Sequence, residues 1–320
     1  MKPIKKIAFL DGYAGLESTI EQILSKKYEI IIDSKNPDYI FYSVFGAKHI
    51  HYDCIRIFIT GENCRCDFNF ADYGIAFDYL IFEDRYLRYP LYLTYESFDK
   101  CLNNTTTIAN PFNRSFCSFV VSNDKADSKR EEIFNKLSKY KRVDSGGKYK
   151  NNIGEAVADK LEFLSKYKFN IAFENSQTNG YITEKIFDAK AAGSIPIYFG
   201  DIKIAYPLNE NGGGLNKKAF INLADFTCID EMIEFIKAID CDEKRYLEIL
   251  NEPLILDSNH KEIFNKRLEN FLYNIFDSPL QEAYRRGFGQ WRMNIENRYK
   301  KFQKAREKII KIQNIIRFYK

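Results

Sequence analysis

Residues 168–201, KFNIAFENSQTNGYITEKIFDAKAAGSIPIYFGD, constrain the fold more than any other part of the chain. The apolar runs at 169–173 and 195–199 read as buried strands. Between them Ile182, Ile186 and Ala189 recur four and three residues apart, which predicts a helix over about 181–192 with one apolar stripe for packing on a sheet. Asn179-Gly180 supplies the turn before this helix, and Gly193-Ser194 ends it, where glycine can take the left-handed conformation. Pro196 lacks an amide donor and belongs near the start of its strand. A strand–turn–helix–strand unit of this kind aims the helix N-terminus, here with Glu184 and Lys185, at the crevice where α/β proteins hold phosphorylated sugars or nucleotides.

The same alternation runs through the rest of the chain. Apolar runs at 7–10, 28–32, 39–44 and 55–59 predict strands, with a helix at 17–26 between the first two. A second set begins at 116–121, continues through a helix at 128–139, and adds strands at 169–173, 195–199 and 219–221 and a helix at 228–239. Two such sets in 320 residues predict an α/β protein of two Rossmann-like domains facing a cleft. Residues 105–114, with Pro111, read as the linker. Gly146-Gly147 and Gly212-Gly213-Gly214 lack the preceding strand and following helix of a phosphate-cradling loop, and the second reads as a flexible surface insert.

Composition excludes several classes. Hydrophobic residues make up 45% and charged residues 29%, a globular balance, and no apolar run approaches the roughly 20 residues that span a bilayer. The N-terminal apolar run, 7–10, is too short for a signal peptide and fits a first strand. Seven scattered cysteines suit a reducing cytoplasm. Three histidines and a Cys64-Arg65-Cys66 spacing that is not C-x-x-C predict no structural zinc. Ten basic residues against Glu296 and Glu307 give residues 291–320 a charge of +8, which leaves −4 on the remainder of a chain whose total is +4. A nucleic-acid binder would carry positive charge on its body, so this balance argues against one. Within the tail Ile295, Tyr299, Phe302, Ile309, Ile312 and Ile316 follow helical spacing, predicting a basic amphipathic helix that lies on an anionic membrane surface. A homodimeric coiled coil or a helix packed on the body are the alternatives.

Cations at helix N-termini suit a nucleoside diphosphate whose charge grows as a bond to it breaks. Lys185 and Arg130 occupy such positions, although Arg130 also fits a solvated Lys-Arg-Glu-Glu face. A lysine in a first turn opposes the helix dipole and needs a compensating anion nearby.

Residues 168–201 resemble the donor-binding signature of the α-1,3-fucosyltransferases, above all the bacterial enzymes acting on N-acetyllactosamine-type glycans. FITGEN (58–63), FEDRYLRYPLYL (82–93), SFVVSN (118–123) with Arg130 after it, and SGGKYKNNIG (145–154) are similar to the same family, in the family's order. The resemblance implies a GT-B fold: an acceptor-side domain at 1–110, a donor domain at 111–290, and the tail at 291–320. It implies inverting transfer of fucose from GDP-fucose to an oligosaccharide or glycolipid acceptor; the cysteines and the basic tail put the expected location at the inner membrane face of the cytoplasm. By the same resemblance Glu62 is the general base, Arg130 and Lys185 stabilise departing GDP, Glu184 meets sugar hydroxyls or an oxocarbenium-like centre, and Asn175 and Tyr181 line the donor pocket. Read without it, Glu62 is an exposed glutamate in a Thr-Gly-Glu-Asn turn. No cofactor or metal is implied, and the lone D-x-D, residues 240–242, falls at a helix end as surface chance. Competing readings are a GT-B transferase using another nucleotide sugar and a non-enzymatic membrane- or nucleic-acid-binding module.

Overall fold

A computed structural model describes residues 1–12, 15–103, 108–208, 211–287 and 289–318. The chain divides into two units, one of Met1–Ala76, Leu80–Tyr89 and Phe264–Lys320, the other of Phe77–Tyr79 and Pro90–Ile263. This partition differs from the expected boundaries. Residues 90–103 join the second unit and residues 264–290 return to the first, while residues 105–107 of the expected linker lie outside the described ones.

The first unit is built on a parallel sheet of β1 (Ile4–Leu10), β2 (Glu29–Ile32), β3 (Tyr39–Tyr42), β4 (Ile55–Ile59), β5 (Tyr73–Ala76) and β6 (Tyr86–Arg88), in the order β2-β1-β3-β4-β5-β6. Helix α1 (Glu17–Ser25) crosses from β1 to β2, burying Ile20, Ile23 and Leu24. Strands β3 and β4 are buried on both faces, which is why they read as unbroken apolar runs. Part of their cover comes from far along the chain, from α8 (His260–Asp277): Phe276 stacks on Tyr39 at 4.1 Å, and Phe271 meets Tyr73 edge-on at 6.1 Å. Arg85 lies over the rings of Phe68 and Phe82, about 5 Å from each, and donates to the Asp72 carbonyl at 2.9 Å, so it serves in packing.

The second unit carries α2 (Glu96–Asn103), α3 (Ser128–Tyr140), α4 (Lys160–Leu164), α5 (Glu184–Ala191), α6 (Ile229–Asp240) and α7 (Glu243–Asn251) around β7 (Ser115–Phe119), β8 (Val143–Ser145), β9 (Tyr167–Phe173), β10 (Ile195–Phe199) and β11 (Ile221–Asn222). This sheet is also parallel, in the order β11-β10-β9-β7-β8. Phe98 of α2 packs on Phe187 of α5 at 5.3 Å, which is the physical reason residues 90–103 group here. The expected flexible insert at 212–214 is instead tied down: Gly213 N–H donates to the Lys203 carbonyl at 2.9 Å and Gly214 N–H to that of Tyr206 at 2.8 Å. The first two residues of that insert, 209 and 210, lie outside the described residues. Asp240 is not surface chance either, for it is buried and ion-paired with Lys141 and Lys168.

The tail forms α10 (Gln290–Phe318), joined to α8 through α9 (Leu280–Ala283). Its first turns are docked on the first unit rather than standing apart from it. Arg56 of β4, only 1% exposed, pairs with Glu296 at 2.9 Å, and its backbone N–H donates to Asp72 at 2.8 Å. Asp72 also pairs with buried Arg286 at 2.6 Å. Glu296 takes Lys300 at 2.9 Å and Arg292 besides, and Tyr299 packs on Phe70. Beyond Gln303 the helix is exposed over the residues whose side chains are described.

Burial works against the charge of Glu296, but its hydrogen bonds to Arg56 and Lys300 outweigh this and pull the carboxyl down to about 2, from 4.5. Stability from such a group is present above pH 4.5 and lost as pH falls toward 2. Glu296→Gln should therefore cost about 3–5 kcal/mol near neutrality and flatten the loss of stability between those two pH values. Urea midpoints across the range measure it, and parallel curves for the two proteins would reject the role given to this pair.

Candidate active site

In the second sheet β7 leads through α3 to β8 on one side, and the chain then returns to β9 on the other. The carboxyl ends of β7 and β9 therefore flank the point where the winding reverses, the place where open α/β sheets bind ligands. Arg130, Glu174, Asn175 and the first turn of α5 all follow from those two strands.

Glu174 is the first residue after β9 and is wholly buried. Its carboxylate accepts the Thr183 N–H at 2.8 Å and the Thr183 hydroxyl at 2.8 Å, and pairs with the Lys185 ammonium at 2.9 Å. Thr183 Oγ1 accepts a second Lys185 N–H at 2.8 Å. Two of the three ammonium hydrogens are thus held by fixed oxygens. A Cβ on Gly200 would stand 2.7 Å from Glu174 Cγ and 2.4 Å from the Tyr198 hydroxyl, so only glycine leaves room there for this carboxylate. Burial opposes the charge of Lys185, but Glu174 and Glu184 outweigh it and hold the ammonium above the ordinary lysine range. Glu184, raised by burial, is lowered further by Lys185 and Lys160 and stays below the usual carboxylate range. Its carboxylate lies 3.7 Å from Lys185 and 4.0 Å from Lys160.

Arg130 stands in the first turn of α3, which Asp127 caps by accepting the Lys129 N–H. The side chain is 2% exposed, not the solvated helix face that its neighbours in sequence also allow. It donates to the Phe173 carbonyl at 3.0 Å and to Asn175 Oδ1 at 2.5 Å, while its Nε has no hydrogen-bond partner among the described residues. Burial pulls this guanidinium below its ordinary value, against the pull of Glu174. Tyr181 is buried before α5, which starts at Glu184 rather than at 181; its ring meets Phe77 edge-on at 5.2 Å.

Five of the six expected site residues, Arg130, Asn175, Tyr181, Glu184 and Lys185, thus belong to the second unit; hydrogen bonds join Arg130 to Phe173 and Asn175, and Glu174 to Thr183 and Lys185. Glu62 belongs to the first unit, in an exposed turn after β4, where its N–H donates to Thr60 Oγ1 at 3.0 Å. Glu174 was not anticipated. Its signal was an acidic residue set directly after the apolar run NIAF, together with the anion that Lys185 required. Among the described residues no group of three or more His, Cys, Asp or Glu side chains is arranged to hold a metal ion.

The profile of the α-(1,3)-fucosyltransferase FucT N-terminal domain matches residues 4–95, and that of glycosyltransferase family 10 (fucosyltransferase), C-terminal part, matches residues 112–251. The chain belongs to the α-1,3-fucosyltransferase family. It is 35% identical over 291 residues to α-(1,3)-fucosyltransferase FucT of Helicobacter pylori, covering 78% of this chain and 59% of that one. It is 34% identical over 143 residues to 4-galactosyl-N-acetylglucosaminide 3-α-L-fucosyltransferase 9 of Mus musculus, covering 44% and 38%. The crystal structure of an α-1,3-fucosyltransferase with GDP-fucose is similar with a TM-score of 0.69 at 31% identity, over 88% of this chain and 93% of that one. This fucosyltransferase-family chain therefore spans about three-fifths or less of the length of these two curated relatives. Its two parallel sheets with flanking helices are the α/β GT-B type of fold.

Removing one partner of a buried ion pair strands the other, at a cost of about 3–5 kcal/mol. Glu174→Gln should lower unfolding stability by an amount in that range, and adding Lys185→Met should restore most of it. A chemical-denaturation cycle over the four proteins checks this; additive losses would show that the two side chains do not depend on each other.

Proposed function

We propose that the chain is an inverting α-1,3-fucosyltransferase that moves L-fucose from GDP-fucose to a GlcNAc hydroxyl of an N-acetyllactosamine-type glycan, carried on an oligosaccharide or glycolipid. The observation that carries this reading is the pair of cations, Arg130 and Lys185, held where the winding of the second sheet reverses, in a chain of this family. The buried Arg130 Nε–H, with no acceptor among the described residues, is a donor that an anionic ligand or a water can meet, which supports the reading. The similar crystal structure contains GDP-fucose, and the mouse relative's name specifies a galactosyl-N-acetylglucosaminide acceptor.

In this reading the diphosphate lies on Arg130 and on the N–H of Lys185 that faces neither Glu174 nor Thr183. Glu62 takes the proton of the attacking hydroxyl as its oxygen bonds to the anomeric carbon on the face opposite the departing phosphate. Charge builds on GDP as that bond breaks, and two preorganised cations meet it without reorganisation. Side chains supply all of this charge, so the reading calls for no metal. Asn175 and Tyr181 line the donor pocket, and Glu184 meets sugar hydroxyls or the positive charge at the anomeric centre.

The chain works, in this proposal, on the cytoplasmic face of the inner membrane. Among the described residues no helix is long and apolar enough to cross a membrane. Ile309, Ile310 and Ile312 are exposed on α10 among basic residues, which supports contact with an anionic surface. Glu296 holds one face of the first turns of α10 against Arg56, so the reading assigns that contact chiefly to the segment beyond Gln303, which is exposed where its side chains are described.

Glu62→Gln should lower fucosyl transfer by about 10²–10⁴-fold while GDP, and not UDP or ADP, still raises the melting temperature. Retained turnover would remove Glu62 as the base, and stabilisation by UDP in place of GDP would favour another nucleotide sugar. Deleting residues 304–320 should abolish sedimentation with anionic vesicles and leave activity on a soluble acceptor. Vesicle binding that survives the deletion, or a dimer that falls to monomer with it, would reject the membrane role.

A further inference from the structure

The first sheet has its own reversal point. Strand β1 leads to β2 on one side and the chain returns to β3 on the other, so the carboxyl ends of β1 and β3 flank a ligand-binding position of the same topological kind. Asp11 follows β1 and Phe45 follows β3. Asp11 has φ +61°, a left-handed conformation uncommon outside glycine. Its carboxylate accepts the Lys48 N–H at 2.8 Å and the His49 N–H at 2.9 Å, and meets His49 Nδ1 at 2.6 Å. Its carbonyl accepts the Phe45 N–H at 3.0 Å. Two close approaches complete the brace: a Cβ on Gly12 would stand 2.8 Å from Phe45 Cδ2, and one on Gly46 would stand 2.3 Å from Asp11 Oδ1. Beneath the loop His49 stacks on Tyr42 at 4.0 Å.

All of this fixes a phenylalanine that remains 67% exposed. Single exposed apolar residues are ordinary, but they are not ordinarily held by a strained backbone and a buried carboxylate. The neighbouring strand supplies the chemistry of the occupant. Tyr42 of β3 pairs with Phe58 of β4 in register, and Phe45 and Glu62 follow those residues by three and four positions. The ring and the carboxylate thus leave the same edge from adjacent strands, which lie about 4.8 Å apart. A ligand that presents a flat C–H face and, beside it, a hydroxyl is a pyranose ring. Its polarised C–H bonds suit the negative face of an aromatic ring.

We propose that Phe45 is the platform on which a sugar ring of the acceptor stacks, making it a specificity-determining residue for the acceptor; this rests on the reading of Glu62 as the base. The full-length chain and its Phe45→Ala and Phe45→Trp variants are compared for KM toward N-acetyllactosamine and toward GDP-fucose, and for sedimentation with anionic vesicles. Phe45→Ala should raise the acceptor KM about tenfold with the GDP-fucose KM unchanged, and Phe45→Trp should restore it. An acceptor KM unmoved in an active Phe45→Ala variant overturns the platform alone. Loss of vesicle binding with acceptor KM unmoved assigns the ring to a membrane and overturns it too. A wild-type chain that transfers no fucose overturns the functional reading and the platform together.

Discussion

The arrangement around the second sheet depends on one ion pair, Glu174 with Lys185. A lysine in the first turn of a helix faces the positive end of the dipole and is unfavourable unless an anion stands against it. Glu174 is that anion, and it does more than neutralise: by accepting the Thr183 N–H and hydroxyl it sets where α5 begins, and so where Lys185 points. A buried ion pair of this kind contributes little net stability, since desolvation offsets most of the attraction. Its value lies in position, for it converts a flexible four-carbon side chain into a charge with a fixed address.

Arg130 reaches the same place by a different route. Its guanidinium is held by the Phe173 carbonyl and Asn175 Oδ1, the residues on either side of Glu174. A three-residue step, Phe173–Glu174–Asn175, therefore orients both cations at once. The first unit uses the same device at its own reversal point, where buried Asp11 organises the loop from Phe45 to His49. In each sheet a buried acidic residue just past a strand end ties down the chain around it: Glu174 through Thr183 and Lys185, Asp11 through the backbone of Phe45, Lys48 and His49.

Much of this was legible in the sequence because it rests on local periodicity. The runs at 55–59 and 195–199 became β4 and β10 with those same bounds, and Glu17 did open α1. The positions of Arg130 and Lys185 were legible for a related reason, since both lie within a turn of helix starts that turn chemistry announces. What escaped was non-local. Short strands such as β6 and β8 have three residues each and no period to detect. Nothing in residues 264–277 says which sheet they cover, and it took Phe276 stacked on Tyr39 to show that the chain returns to the first unit. The docking of the tail escaped for the same reason: its basic, amphipathic pattern does not show that Glu296 reaches a buried arginine in β4. Burial also separated readings that composition left level, placing Arg130 inside and Asp240 in an ion pair.

The most direct test of the account is a crystal structure of this chain with GDP bound. The account predicts diphosphate oxygens within hydrogen-bond distance of both the Arg130 guanidinium and the Lys185 ammonium, with Glu174 still paired to that lysine. A diphosphate seated away from these two side chains would contradict it.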